Sequence, residues 1–204
     1  MSDTALVTGY AGGLGSGVVE VLEGAGWTVA GLDQKEADLS DPADAARAVG
    51  EIEGLAAAVH LVGGFAMGTK VHEIEPDDFQ RMFDLNVTTT FNVARAAIPA
   101  LLERGGGSFV AVSAQAAQAP FPGAAAYISA KAAVFALVRA LDADYGKEGI
   151  RANAILPSMI DTPANRRAMP DSVRKGWTSP AQVGETIRFL ISSESPVRGA
   201  AVPV

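Results

Sequence analysis

The chain has 204 residues, 49% hydrophobic and 19% charged, enough for one compact domain and too few for two ordinary ones, and too apolar for extended disorder. A net charge of −7 argues against a nucleic-acid binder, which needs a basic face for phosphates. The absence of cysteine excludes disulfides, thiolate zinc sites, iron–sulfur clusters and cysteine nucleophiles.

In chain order, Ala5-Leu6-Val7-Thr8 is a short apolar run ending at a glycine and reads as a buried strand. Gly15 to Ala25 carries Val18, Val19, Val21 and Leu22 before the stop signal Gly24-Ala25-Gly26, and predicts a helix. Val29 to Leu32 is a second strand, Asp44 to Val49 a helical stretch, and Ala57 to Val62 a further strand. Pro76-Asp77-Asp78 has the proline and carboxylates of a first helical turn, and that helix is expected to run to about Leu102. Ser108 to Val112 is a strand, Ala124 to about Tyr145 a long helix, Ala152 to Leu156 a strand and Pro180 to Ser192 the last helix. Ala201-Val202 closes as a strand. Alternating strands and helices with continuously apolar strands predict an α/β fold. The expected form is a Rossmann-type three-layer sandwich, with a mostly or fully parallel sheet flanked by helices. No linker divides residues 1–204, so a single domain is expected. Thr162 to Ser179 is long and irregular for a connection and is expected to cover a site.

Thr8-Gly9-Tyr10-Ala11-Gly12-Gly13-Leu14-Gly15 joins the first strand to the first helix. Glycines let the backbone turn sharply and approach a ligand, and the helix offers free N–H groups to a pyrophosphate. A tight turn with no ligand is the alternative. The GxxxxGK[ST] loop of NTPases is absent. Asp33, just after the second strand, stands where a carboxylate accepts hydrogen bonds from an adenosine ribose. It would repel a 2′-phosphate by roughly 4 kcal/mol per charge pair at about 4 Å and an effective dielectric near 20. NAD is therefore expected over NADP, with Lys35 the one nearby cation that could reach a phosphate.

Tyr127 and Lys131 are four apart on the long helix, side by side on one face. A phenol is a poor base at neutral pH, and lowering it by about 3 units takes roughly 4 kcal/mol. A lysine about 5 Å away supplies roughly 3 kcal/mol, so Lys131 is expected to bring Tyr127 toward proton transfer.

Thr8-Gly9-x-x-x-Gly13-x-Gly15, Asp33, Asn86, Ser113 and Tyr127-x-x-x-Lys131 together resemble the short-chain dehydrogenase/reductase family over essentially the whole chain. The resemblance implies hydride transfer between NAD(H) and an alcohol or carbonyl, with Asn86, Ser113, Tyr127 and Lys131 catalytic. Ser113 would bond the substrate oxygen. Asn86 would hold a relay water with Lys131, which would also bind the nicotinamide ribose. Cofactor contacts are implied at Gly9, Gly13, Leu14, Gly15, Asp33, Asp38, Leu39, Gly63, Lys131, Pro157 and Thr162. Of these, Asp38-Leu39 would bracket the adenine and Thr162 would lie near the nicotinamide carboxamide. Family members pair through two long helices, here near Asp77–Leu102 and Ala124–Tyr145, which implies a homodimer or homotetramer.

The sequence departs from the family in three places. Leu61-Val62-Gly63-Gly64 stands where Asn-Asn-Ala-Gly is usual, so the asparagine contacts are expected to be lost. Pro157-Ser158 replaces Pro-Gly. Asp33 and Asp38 leave no room for a helix, so the family's third strand is expected after a very short link. In this shortening the chain resembles the dihydropteridine reductase and bacterial hydroxysteroid dehydrogenase branches.

His60 and His72, the only histidines, are expected to be structural, and no metal site is expected. The serines lack a G-x-S-x-G setting, so a hydrolase is not indicated. Phe65, Met67, Gln115, Phe121, Met159, Met169 and Trp177 are candidates to line a pocket for a largely apolar carbonyl substrate, with core or lid packing as the alternative. Asn86-Val87-Thr88 matches a glycosylation sequon. The first four residues lack a signal-peptide pattern and no apolar run is long enough to span a bilayer, so a cytoplasmic protein is expected, with no membrane partner. Two other readings remain: a non-catalytic NAD-binding sensor or scaffold, and a sugar-nucleotide epimerase or dehydratase, for which the chain leaves no substrate domain.

Overall fold

A computed structural model describes residues 3–204. Six strands form one parallel sheet in the order β2-β1-β3-β4-β5-β6. They are β1 (Thr4–Thr8), β2 (Thr28–Leu32), β3 (Leu55–His60), β4 (Gly107–Val112), β5 (Ile150–Leu156) and β6 (Ala201–Pro203). Every residue of β1 and β3 is buried, which is why these segments read as unbroken apolar runs. Helices α2 (Pro42–Gly50), α4 (Thr89–Arg104) and α5 (Ala125–Tyr145) cover one face, through Ala45, Val49, Val93, Ile98, Leu101, Val134 and Val138. Helices α1 (Gly15–Gly24) and α7 (Pro180–Ile191) cover the other, through Val18, Leu22, Val183, Ile187 and Leu190. The expected α/β three-layer sandwich is the observed one.

Local chemistry sets the helix starts. Asp41 caps α2 by accepting from the N–H groups of Ala43 and Asp44, with Pro42 as the first helical residue. Ser179 and Gln182 form a reciprocal capping box on α7.

The expected helix from Pro76 to about Leu102 is three pieces: α3 (Pro76–Phe83), a π-helical turn (Asp84–Thr88) and α4. The wide turn inserts without breaking the rod, and π turns of this kind cluster at functional sites. Residues 33–41 correct another expectation: they form turns and no strand. Asp38 and Ser40 close on each other, and the chain passes from β2 straight into α2. The sheet therefore lacks the third strand the family pattern implied, and β2 is its margin. The stretch 162–179 is also more regular than expected. It holds α6 (Pro163–Ala168), a 3-10 turn (Asp171–Val173) and a single parallel bridge from Ile160 to Thr178.

Gly15 opens α1 directly against the carbonyl of Gly9, where an added Cβ would sit 2.1 Å from that oxygen and 2.6 Å from the Tyr10 backbone. Backbone cannot yield as a side-chain tip can. Gly15→Ala is expected to lower unfolding stability by about 2 kcal/mol or more, measured by chemical denaturation. Gly50→Ala, with open space around it, serves as the neutral control.

Candidate active site

The carboxyl ends of β1, β2, β3, β4 and β5 point toward one rim of the sheet, where open α/β folds place their ligands. The first strand ends at Gly9, whose φ of +71° turns the chain back. Gly12 then donates to the Gly9 carbonyl and Ser16 to the Gly12 carbonyl. Leu14 is the N-cap of α1 and supplies no side-chain cap, and no acidic residue lies in the first turn. The positive end of α1 is thus left open to an anion. Gly13 packs against Thr162 and Pro163, so the segment after β5 closes onto the glycine turn. Thr162 caps α6 by accepting from Asn165 N–H.

At the end of β2, Asp33 is half-buried and accepts from the Gln34 N–H, while its own N–H donates to Glu36. The Tyr10 ring lies over Gly31 beside it, leaving no space for a Cβ there. Sequence reasoning did not single out Tyr10. The one available signal was a glycine inside a strand, which marks a close approach. Asp38 is exposed, and its carboxyl is held below the usual range by hydrogen bonds from Ser40. Leu39 lies in the core, and its carbonyl accepts from Asn92.

At the centre of the rim, Gly63, Asn86 and Lys131 meet. A Cβ on Gly63 would stand 2.6 Å from Asn86 Oδ1 and 2.9 Å from Lys131 Nζ. Asn86, 1% exposed within the π turn, pairs with Gly64 in both directions: Gly64 N–H donates to Oδ1, and Nδ2 donates to the Gly64 carbonyl and to Met82. Lys131 is 5% exposed and donates from Nζ to the Val112 carbonyl at 2.8 Å. Burial lowers its pKa to about 8. Tyr127, one turn earlier on α5, is half-buried, and burial pushes its pKa up to about 12. This reverses the expected direction. In this arrangement desolvation outweighs any help from the lysine, and the phenol keeps its proton.

Ser113 is also corrected. Its hydroxyl is 1% exposed and donates to the Lys131 carbonyl at 2.8 Å. It anchors α5 to the end of β4 and does not reach the crevice. The next residue, Ala114, is in extended conformation and brings no polar side chain. Pro157 ends β5 with its carbonyl accepting from Gln115 N–H.

His60, set aside as structural, hydrogen-bonds Thr8 and Thr89 inside the core. Of the expected pocket residues, the Phe65 ring meets Tyr127 edge-on at 4.9 Å and 81°. Met67 and Phe121 are exposed nearby in sequence, on loops tied together by Gly68 N–H to the Gly123 carbonyl. Met159, Met169 and Trp177 are half-buried, and Gln115 is exposed. Among the described residues no helix is long and apolar enough to cross a membrane, and no three histidines or carboxylates group as metal ligands.

A family model described as enoyl-(acyl carrier protein) reductase matches residues 36–204. The chain is 28% identical to 2-(R)-hydroxypropyl-CoM dehydrogenase of Xanthobacter autotrophicus, covering 99% of this chain and 96% of the relative. It is 34% identical to 2,5-dichloro-2,5-cyclohexadiene-1,4-diol dehydrogenase of Sphingobium indicum, over 81% and 76%. Among solved structures, 3-ketoacyl-(acyl-carrier-protein) reductase of Brucella melitensis, complexed with NADH, superposes with a TM-score of 0.89 at 25% identity, covering 99% of this chain and 96% of that one. With the glycine turn and the paired tyrosine and lysine at one rim of a parallel sheet, these matches make the chain an oxidoreductase of the short-chain dehydrogenase/reductase family.

Proposed function

We propose that this chain reduces a carbonyl, or oxidises the matching alcohol, with NAD(H) as the hydride carrier and Tyr127 as the proton carrier. The reading rests on one observation above others: a half-buried phenol one helical turn from a buried ammonium, beside a glycine that keeps the space open. The residues fit a dinucleotide, since Gly9 and Gly15 keep the turn tight where an added Cβ would crowd it and the start of α1 carries no competing acid. When bound, the nicotinamide ring supplies or accepts the hydride. Asp33 would accept from the adenosine ribose and disfavour a 2′-phosphate. Gly63 would give the ring a flat approach. Lys131 would hold the nicotinamide ribose, and Thr162 would face the carboxamide across Gly13.

A protonated phenol can donate to the carbonyl oxygen in reduction, and the same group takes the proton back in oxidation. Tyr127 would give its proton to the oxygen as the carbon receives hydride. Lys131 would then stabilise the phenolate left behind. Asn86 acts by holding Gly63-Gly64 at that spot through its paired amide. Ser113 acts by fixing the helix that carries the lysine. Phe65, Met67 and Phe121 favour a largely apolar substrate under the 162–179 segment. The inward-turned Ser113 is the observation that favours the alternative, a dinucleotide-binding module without turnover. A homodimer or homotetramer remains part of the proposal, with Phe79 and Phe91 exposed on α3 and α4.

Assaying a broad panel of carbonyls and alcohols with NADH and NADPH tests the reading. Turnover with NADH at lower KM than with NADPH is expected; NADH binding with no turnover on the whole panel would establish the alternative. Tyr127→Phe is expected to lower kcat by about 100-fold or more while NADH binding changes little. Ser113→Ala is expected to cost about 1 kcal/mol of stability by removing the tie from the end of β4 to the Lys131 carbonyl, which keeps its helical partner, with kcat falling far less than in Tyr127→Phe.

The lysine predicts a pH effect on stability. Folding lowers Lys131 from 10.5 to about 8. Between those values the unfolded chain binds a proton that the folded chain does not, so stability rises with pH through that window. Lys131→Met lacks this gain. The unfolding free energy of the wild type relative to Lys131→Met is expected to rise by about 2 kcal/mol from pH 7.5 to 9.5, at about 1.4 kcal/mol per unit. Denaturation at both pH values measures it, below the range in which Tyr127 ionises.

A further inference from the structure

His60 ends β3 at the centre of the sheet, 1% exposed. Its register partner on β1 is Thr8, the residue that leads into Gly9. Thr8 Oγ1 lies 2.8 Å from His60 Nδ1, and His60 Nε2 lies 3.2 Å from Thr89 Oγ1. Thr89 follows the π turn and lies three residues after Asn86. Its hydroxyl donates to the Leu85 carbonyl at 2.9 Å.

The proton positions along this row follow from the partners. The Leu85 carbonyl can only accept, so the single Thr89 proton points to it, and His60 Nε2 must donate to Thr89. Burial, and secondarily the Lys131 charge, push the imidazole down to about 3, so the ring is neutral and Nδ1 accepts from Thr8. Thr8 Oγ1 in turn receives the Leu61 N–H at 3.3 Å. Each link has one donor and one acceptor, and all point the same way. One end of the row is the Leu61 N–H, which meets the Thr8 hydroxyl just ahead of the glycine turn. The other is the carbonyl next to Asn86, whose amide grips Gly64 beside Lys131.

We propose that His60 is a positioning residue: in its neutral Nε2–H form it ties the glycine turn to the π turn, and so fixes where Asn86 and Lys131 stand relative to a bound dinucleotide. The proposal rests on the hydride-transfer reading for its effect on turnover, but not for the tautomer or for dinucleotide binding. An apolar residue of similar shape would fill the volume and leave Thr8 and Thr89 free to rotate. An imidazolium would have to donate at both nitrogens, which reverses Thr8 and sets a second cation near Lys131.

The chain has two histidines, so ¹⁵N-histidine labelling of the full-length protein yields two ring systems, separable with His72→Gln. His60 is expected to report the neutral Nε2–H tautomer from pH 6 to 9. An Nδ1–H tautomer, or titration of His60 within the window, overturns the proposal. In kinetics, His60→Leu and Thr89→Val are each expected to lower kcat at least tenfold, with KM for the carbonyl substrate within threefold. The double variant should lose no more than His60→Leu alone. Retention of kcat within twofold in folded His60→Leu, or losses that multiply in the double variant, overturns it. Should His60→Leu fail to fold, Thr89→Val, which keeps the shape and removes only a hydroxyl, decides by the same criterion. Absence of turnover in the wild type would refute the hydride-transfer reading alone. The tautomer, and a dissociation constant for NADH raised at least fivefold in Thr89→Val, would still support the role of His60, and an unchanged constant would refute it.

Discussion

A lysine ammonium held out of water is the constraint around which the rim of this sheet is built. Removing a charge from solvent costs several kcal/mol unless partners replace the water. Lys131 receives one such partner from the Val112 carbonyl at the end of β4. Its own backbone carbonyl is taken by Ser113, one residue further along the same strand. The chain end of β4 and the first turns of α5 are thereby locked together. Gly63 then brings the neighbouring strand so close that no side chain fits between it, Asn86 and the ammonium. Each of these contacts fixes a different element, so the position of the lysine follows from the sheet as a whole.

The same low-polarity surroundings set the chemistry. Burial presses Lys131 toward its neutral form and Tyr127 toward its protonated form. The two shifts share a cause and both oppose charge. Burial that disfavours the phenolate makes the phenol a weaker acid, and a nearby positive charge would be needed to bring it toward proton transfer. With no cysteine in the chain and no grouped metal site among the described residues, the rim presents an amide, a phenol, an ammonium and bare backbone.

Much of this was legible in the sequence. Continuous apolar runs marked the four interior strands, β1, β3, β4 and β5, because strands covered on both faces have no polar side to show. Proline with early carboxylates marked the start of α3, and the glycine turn marked the end of β1. Other features were hidden for physical reasons. In an extended segment adjacent side chains point to opposite faces, so a serine at the end of a strand faces the crevice or the core according to a single step of register. Ser113 fell on the inner side. The π turn left no trace because Asp84 to Thr88 continues an ordinary helical pattern. The sign of the Tyr127 shift depends on how much solvent is excluded, which spacing along a helix does not reveal. His60 offered only an isolated polar side chain at a strand end; its meaning lay in Thr8 and Thr89, which are 52 and 29 residues away.

The shortcut from β2 into α2 carries a lesson about which parts of such a fold are dispensable. A strand lost from the interior would break two ladders and strand a helix on each face. One lost from the margin costs a single ladder and leaves every remaining crossover intact. Gly63, Asn86 and Lys131 meet at the ends of β3 and β4, two and three strand positions inward from β2. In this chain the shortening lies between Asp33 and Asp41, and β1, β3, β4 and β5 each keep two neighbours.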